Sequence, residues 1–224
     1  MNPFGYPKEE GLYNPQFEHD ACGIGCITDI KGNKSHDVVA DGLKVLMNMT
    51  HRGATGCDPC TGDGAGIMTQ VPHDFFVKEL KAQGVKLPAA GAYAAGIMFM
   101  PKAIQCHGTI KEIVESIIKQ EHQTFIGWRN VPVNSKVLGP IAKESEPFII
   151  EFFVGNTHKT TPEFERRLYI IRRQIEKEML KLGEEFKKVY IPSLSSRTII
   201  HKGLLLADQI DQYYLDLQDP EYKS

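Results

Sequence analysis

Residues 162–182 constrain the fold more than any other stretch of this 224-residue chain. Phe164, Leu168, Ile171, Ile175, Met179 and Leu182 recur at helical spacing, Pro162 falls in the first turn, and Gly183 follows the last apolar residue. A helix with so long an apolar face needs a broad apolar surface to bury it. Three short runs, Ala65–Val71, Tyr93–Met100 and Phe148–Val154, have the length and character of buried strands. Sheets with helices packed outside them satisfy both patterns. Periodicity does not choose between parallel and antiparallel strands.

The remaining elements are expected around this frame. Gly23–Ile30 reads as a strand, with Lys31-Gly32-Asn33 as a turn. Ser35 is placed to cap a helix carrying Val39, Leu43, Leu46 and Met47. Asp74–Gln83 reads as a short helix ended by Gly84, and Ile110, Ile113, Val114, Ile117 and Ile118 mark another. Thr124–Val133 reads as a strand, and two more, Val189–Ile191 and Arg197–Lys202, flank Pro192-Ser193-Leu194-Ser195-Ser196. Residues 1–21, rich in Pro and Gly, read as an extended leader.

Several function classes are excluded early. The formal charge is −2, which gives no support to nucleic-acid binding. No apolar run approaches the roughly 20 residues that cross a membrane. The N-terminus lacks the basic start and apolar stretch of a secretion signal. Five cysteines are an odd number for a disulfide framework, so reduced thiols in a cytoplasmic protein are expected.

Four stretches carry side chains capable of chemistry. The first is His19-Asp20-Ala21-Cys22-Gly23-Ile24-Gly25-Cys26. A thiol within a chain has a pKa of about 8.5 and is mostly protonated at neutral pH. Cutting the Ala21–Cys22 bond would place an α-amine, with a reference pKa of about 7.7–8.0, on the same residue as the thiol. That amine could act as the thiol's own general base. The plain alternative is a small buried hydrophobe.

Residues 49–67 are the second, with glycine-rich sequence between an expected helix and an expected strand. Such a loop can present backbone N–H groups and approach a ligand closely, with Arg52 available for a carboxylate or carbonyl. It matches neither the phosphate loop nor the dinucleotide fingerprint. A tight connection tied down by Arg52 and Asp63 is the alternative.

Cys57-Asp58-Pro59-Cys60, the third, could bind zinc or cycle as a disulfide, but no second close pair completes a zinc site. In the fourth, Ser195, Ser196 and Arg197 could line a site or form a solvated turn.

Taken together, the stretches GLYNPQFEHDACGIGC, HRGATGCDPCTGDGAGIM, VPHDFF and SLSSRTIIHKGLLLADQI resemble the N-terminal class II glutamine amidotransferase domain of the glutamate synthase large subunit, an N-terminal-nucleophile hydrolase. The resemblance runs from about Gly11 to about Tyr214. It implies an α+β fold, a four-layer αββα sandwich incomplete at its C-terminal side. Residues 1–21 would be a propeptide, and 22–224 part of the amidotransferase domain. Cys22 would attack the carboxamide carbon of L-glutamine, release ammonia and leave a γ-glutamyl thioester for water to hydrolyse. Arg52 and Gly53 match the family's His-Arg-Gly, which lies against the nucleophile.

The family also uses an Arg-Phe-Ser-Thr-Asn-Thr stretch for the glutamine carboxylate and a His-Asn-Gly-Glu motif for the oxyanion hole, and neither occurs in this sequence. The resemblance therefore implies a chain inactive alone. No cofactor is expected in it. FMN and an iron–sulfur cluster, with ammonia transfer to 2-oxoglutarate, would belong to the remaining domains of glutamate synthase or to a complementary chain. Two alternatives stand beside this reading. One is a non-catalytic module that needs a partner chain, the other a Cys-x-x-Cys zinc or redox protein.

Overall fold

The computed structural model describes residues 8–11, 14, 22–158 and 160–224. The leader expected over residues 1–21 lies almost wholly outside them. The order of elements is α1 (His36–Asn48), β1 (Ala65–Gln70), α2 (His73–Ala82), β2 (Tyr93–Met100), α3 (His107–Gln120), β3 (Thr124–Asn130), α4 (Pro140–Ser145), β4 (Phe148–Gly155), α5 (Thr161–Met179), β5 (Tyr190–Ser195), β6 (Thr198–Gly203) and α6 (Ile210–Tyr213).

Four strands form one antiparallel sheet in the order β3-β4-β2-β5, and β1 pairs with β6 in a second antiparallel sheet. The alternation along each central strand explains the arrangement. Ala94, Met98 and Met100 of β2, with Ile150, Phe152 and Val154 of β4, share one face. That face buries Ile110, Val114, Ile117 and Ile118 of α3 and Phe164, Leu168, Ile171, Ile175 and Met179 of α5. The opposite residues, Tyr93, Ala95 and Ile97 with Ile149 and Phe153, pack against α2, β6 and the C-terminal residues Tyr213, Tyr214, Leu217 and Tyr222. Val39 and Leu43 of α1 join the same core. The result is the α+β antiparallel sandwich that the resemblance implies.

Local chemistry sets the element ends. Ser35 Oγ accepts from Val38 N at 3.3 Å, and Thr160 Oγ1 accepts from Glu163 N at 3.4 Å, each satisfying a free N–H of a first helical turn. Gly84 and Gly183 follow α2 and α5 at φ +75° and +119°, where a side chain would be strained. Leu168 is fully buried between α5 and the sheet. Leu168→Ala is expected to lower unfolding stability by about 2–5 kcal/mol, measured by urea denaturation.

Two expectations need correction. Gly23–Ile30 is not a strand: residues 22–29 have no regular structure, and Ile24 and Ile30 are almost fully exposed. Alternating side chains make a strand only where a partner edge accepts the backbone, and β1 pairs with β6 alone. The turn after it does form. Gly32 N donates to Asp29 O at 3.0 Å, while Asp29 Oδ1 accepts from Lys31 N and Asn33 N. The second correction is β5, which continues through Pro192 to Ser195, so most of the stretch expected between the two strands is itself strand. Proline is tolerated because β5 is an edge strand.

A buried charged network crosses the core. Arg129 of β3 stands in register with Glu151 of β4. Its Nη1 donates to Glu151 Oε2 at 2.9 Å and to Asp216 Oδ2 at 2.7 Å, and its Nη2 donates to Asp216 Oδ1 at 2.8 Å and Glu79 Oε2 at 2.9 Å. Arg129, Glu151 and Asp216 are all buried.

Candidate active site

The glycines after Cys22 follow from packing. A Cβ on Gly23 would lie 3.1 Å from Met49 Sδ and 3.3 Å from Arg52 Cβ and Cγ, and one on Gly25 would run into Val45 Cγ1. The Gly-Ile-Gly backbone therefore lies directly against α1 and the turn after it, and a side chain at either glycine would have to displace Met49, Arg52 or Val45.

The same helix end delivers Arg52. Met49 terminates α1, and Thr50–Arg52 continue as a single 3₁₀ turn, with Arg52 N donating to Met49 O at 2.8 Å and Gly53 N to Thr50 O at 3.1 Å. This turn aims the guanidinium back along the chain. Arg52 Nη2 donates to the carbonyl oxygen of Cys22 at 3.4 Å. Cys22, Arg52 and Gly53 line one cleft of about 330 Å³. Cys22 is exposed, which removes the reading of it as a buried hydrophobe.

The glycine-rich loop forms the opposite wall. A bridge between Thr55 and Gly62 closes it, and Asp63 N donates to Ala54 O at 2.9 Å. Asp63 and Gly64 line the cleft with Leu205, Leu206 and Ala207. Gly62 lies so close to Leu205 that a Cβ would collide with its carbonyl. Leu205–Ala207 were not singled out in the sequence, because an apolar residue after a strand carries no signal of its own. A larger groove of about 780 Å³ adjoins the cleft and shares Gly23, Leu46 and Asp63 with it.

The other candidates fall away from this cleft. Asp58 Oδ1 accepts from Cys60 N at 2.9 Å and its Oδ2 from Thr61 Oγ1 at 2.6 Å, and these bonds, Thr61's first, hold its carboxyl below the usual range. Cys60 O accepts from Gly139 N and from Gln209 Nε2 at 3.2 and 3.0 Å, so this turn anchors the loop to neighbouring segments. Cys57 and Cys60 are exposed and belong to no cluster of three metal-capable side chains among the described residues. Ser195 and Ser196 both donate to Glu165 of α5, tying the β5–β6 connection to the helix rather than lining the cleft. No cysteine joins the one such cluster among the described residues, which is Glu151, His201 and Asp216.

A family model described as glutamine amidotransferases class-II matches residues 22–224, its first residue being Cys22. The chain is 44% identical over 220 residues to the glutamate synthase (NADPH) large chain of Bacillus subtilis, a match covering 97% of this chain and 14% of the relative. It is 40% identical over 226 residues to the glutamate synthase (NADH) of Schizosaccharomyces pombe, covering 97% and 10%. It is 38% identical over 208 residues to ferredoxin-dependent glutamate synthase 2 of Synechocystis, covering 92% and 13%. The chain thus spans between 10 and 14% of the length of these relatives. Among the described residues, no helix is long and apolar enough to cross a membrane.

Proposed function

Since the chain belongs to the class-II glutamine amidotransferases, we propose that its cleft hydrolyses the side-chain amide of L-glutamine with Cys22 as nucleophile. The observation that carries this is the juxtaposition of an exposed Cys22 with Arg52 and Gly53 in one cleft. The family match that starts at Cys22 supports removal of residues 1–21, which would free an α-amine on the nucleophile itself. That amine takes the thiol proton. The thiolate then attacks the carboxamide carbon, and the C–N bond breaks as the proton passes to the leaving ammonia. Water hydrolyses the γ-glutamyl thioester, releasing glutamate and restoring the thiol.

Arg52 holds the Cys22 carbonyl and so positions the backbone of the nucleophile in the cleft. Gly53 leaves the wall beside it open, with Asp63 Oδ1 3.6 Å from where a Cβ would stand. The tetrahedral intermediate needs hydrogen-bond donors for its oxyanion, and the sequence holds no His-Asn-Gly-Glu motif to supply them. Loss of one such donor typically costs about 10²–10³ in turnover, so the 224-residue chain alone is proposed to be feeble or inert. The remaining domains of a glutamate synthase, or a complementary chain, would supply those donors, carry FMN and iron–sulfur chemistry, and pass ammonia to 2-oxoglutarate. Four exposed free thiols suit a reducing, cytoplasmic setting.

Intact mass and N-terminal sequencing of the purified chain test the maturation step. A product beginning at Cys22 is expected. A chain that still begins at Met1 under conditions supporting glutamine hydrolysis would overturn the α-amine mechanism.

A further inference from the structure

The second concentration of chemistry in the molecule lies in its core. Around Arg129 stand three carboxylates, Glu79, Glu151 and Asp216, against one guanidinium. Glu79 is partly exposed and solvated, but Glu151 and Asp216 are buried. Asp216 is fully served, since both its oxygens accept from Arg129. Glu151 is not: Oε2 accepts from Arg129, while Oε1 is buried with no hydrogen-bond partner. Beside it, His201 of β6 is completely buried with both ring nitrogens unpartnered. The donor atoms of Glu151, His201 and Asp216 lie within 4.8 Å of one another.

The neighbouring polar groups are all committed elsewhere. Tyr214 Oη donates to Lys202 O at 2.7 Å, and Tyr222 Oη is paired with Thr69 Oγ1 at 2.8 Å. Tyr93 Oη is paired with His73 at 3.2 Å. The rings of Tyr214 and Tyr222 enclose His201 edge-on, with centroids 4.8 and 5.8 Å away. Among the described residues, Glu151 Oε1 and both His201 ring nitrogens have no hydrogen-bond partner, and a carboxyl oxygen of Glu151 lies within 4.8 Å of a His201 ring nitrogen. Two buried polar groups left unpaired at this depth would each cost about 1–3 kcal/mol, and a second full anion beside Asp216 would cost more.

We propose that Glu151 is a neutral carboxylic acid in the folded protein, donating its Oε1 proton to a ring nitrogen of His201, and that this pair is a proton-operated latch joining the large sheet to β6. A single proton, passed on by a small approach of the two side chains, satisfies the orphaned oxygen of Glu151 and the acceptor nitrogen of neutral His201, leaving one ring N–H without a partner and Arg129 and Asp216 as one compensated ion pair. A metal ion would satisfy the same atoms less well. Both Asp216 oxygens are occupied by the guanidinium, and a dication would sit against that positive charge. The latch stands close to the cleft in the chain, because β6 ends at Gly203, two residues after His201, and the chain runs on into Leu205–Ala207, which line the cleft.

The charge environment agrees. Burial, partly offset by Arg129 and reinforced by Asp216 and Glu79, pushes the Glu151 carboxyl up to about 8 from an ordinary 4.5. Burial, then Arg129, pushes the His201 imidazole down to about 3 from 6.5. Between about pH 4.5 and 8 the folded state keeps a Glu151 proton that the unfolded chain gives up, so stability falls as pH rises through that window. Below about 6.5 the unfolded chain protonates His201 and the folded one does not, so stability falls as pH drops towards 3. The two slopes oppose each other between about 4.5 and 6.5, leaving a net decline from about 6.5 to 8.

The test compares thermal midpoints of the full chain and of Glu151→Gln from pH 5 to 9. Glutamine keeps the shape of the neutral acid, with an amide N–H for His201 and a carbonyl for Arg129. The wild-type midpoint is expected to fall by several degrees between pH 6.5 and 8.5, with Glu151→Gln flat over that interval. Difference infrared spectra of the folded wild type at pH 6 should show the carbonyl stretch of a protonated buried carboxyl, absent in Glu151→Gln. Parallel pH profiles for the two proteins would overturn the latch. So would the lack of that carbonyl band, or a stoichiometric metal ion released on unfolding.

Discussion

Cys22→Ala is expected to abolish glutamine hydrolysis in any assembly that shows it. Removing a covalent nucleophile costs on the order of 10⁴–10⁶ in turnover in well-studied hydrolases, because no other group in the cleft can form the thioester. Of the ionisable side chains lining that cleft, Arg52 is a permanent cation and Asp63 a weak carboxylate nucleophile. The experiment is complicated by Cys26, Cys57 and Cys60, all exposed and free to react with a general thiol reagent. A glutamine-shaped electrophile separates them, since only a thiol in a glutamine-binding cleft should be labelled selectively and protected by L-glutamine. Peptide mapping is expected to place the adduct on Cys22 and to lose it in Cys22→Ala. Hydrolysis that survives the substitution, or an adduct on Cys57 or Cys60 that glutamine blocks, would sink the assignment. Because labelling needs only attack by the thiolate, it remains informative even if full turnover requires donors from another segment.

Much of this fold was legible wherever a residue's neighbours were dictated by its own periodicity. The apolar stripe of α5, the apolar run of β2 and the run of β4, interrupted only by Glu151, each admit one burial pattern, and the structure shows it. Gly23–Ile30 failed because its alternation is a property of the segment, whereas a strand is a property of a pair. The candidate site was legible for a different reason. It was the resemblance that grouped Cys22, Arg52 and Gly53; taken alone, the residues left Cys22 equally readable as a small buried hydrophobe and Arg52 as a tether of its loop. Leu205–Ala207 belong to a stretch that carries the resemblance, but their place in the cleft was not legible, since it comes from where β6 ends. The charged network was half visible. Glu151 inside an otherwise apolar run is an anomaly that calls for a buried partner, but Asp216, from a C-terminal turn, could be paired with Arg129 only in three dimensions.

Arg129→Met is expected to lower unfolding stability by about 3–5 kcal/mol at neutral pH. Methionine fills much of the volume over the Phe75 ring, where the guanidinium carbon now lies 5.1 Å from the ring centroid, so the loss is chiefly electrostatic. The cation's removal leaves Asp216 without either of its charge-assisted hydrogen bonds at a buried position. Its carboxyl, already raised by burial against the pull of Arg129, must then rise further or remain as an uncompensated anion. The penalty should accordingly grow with pH, being smallest where Asp216 can protonate and largest above neutrality. The two possible second-site changes distinguish the groups. If Glu151 is already neutral, adding Glu151→Gln to Arg129→Met restores little, whereas adding Asp216→Asn, which removes the stranded charge, restores a substantial part. Urea denaturation of the three proteins at pH 7 checks this. Equal rescue by the two second substitutions would mean that Arg129 balances two anions rather than one, and would count against the neutral acid.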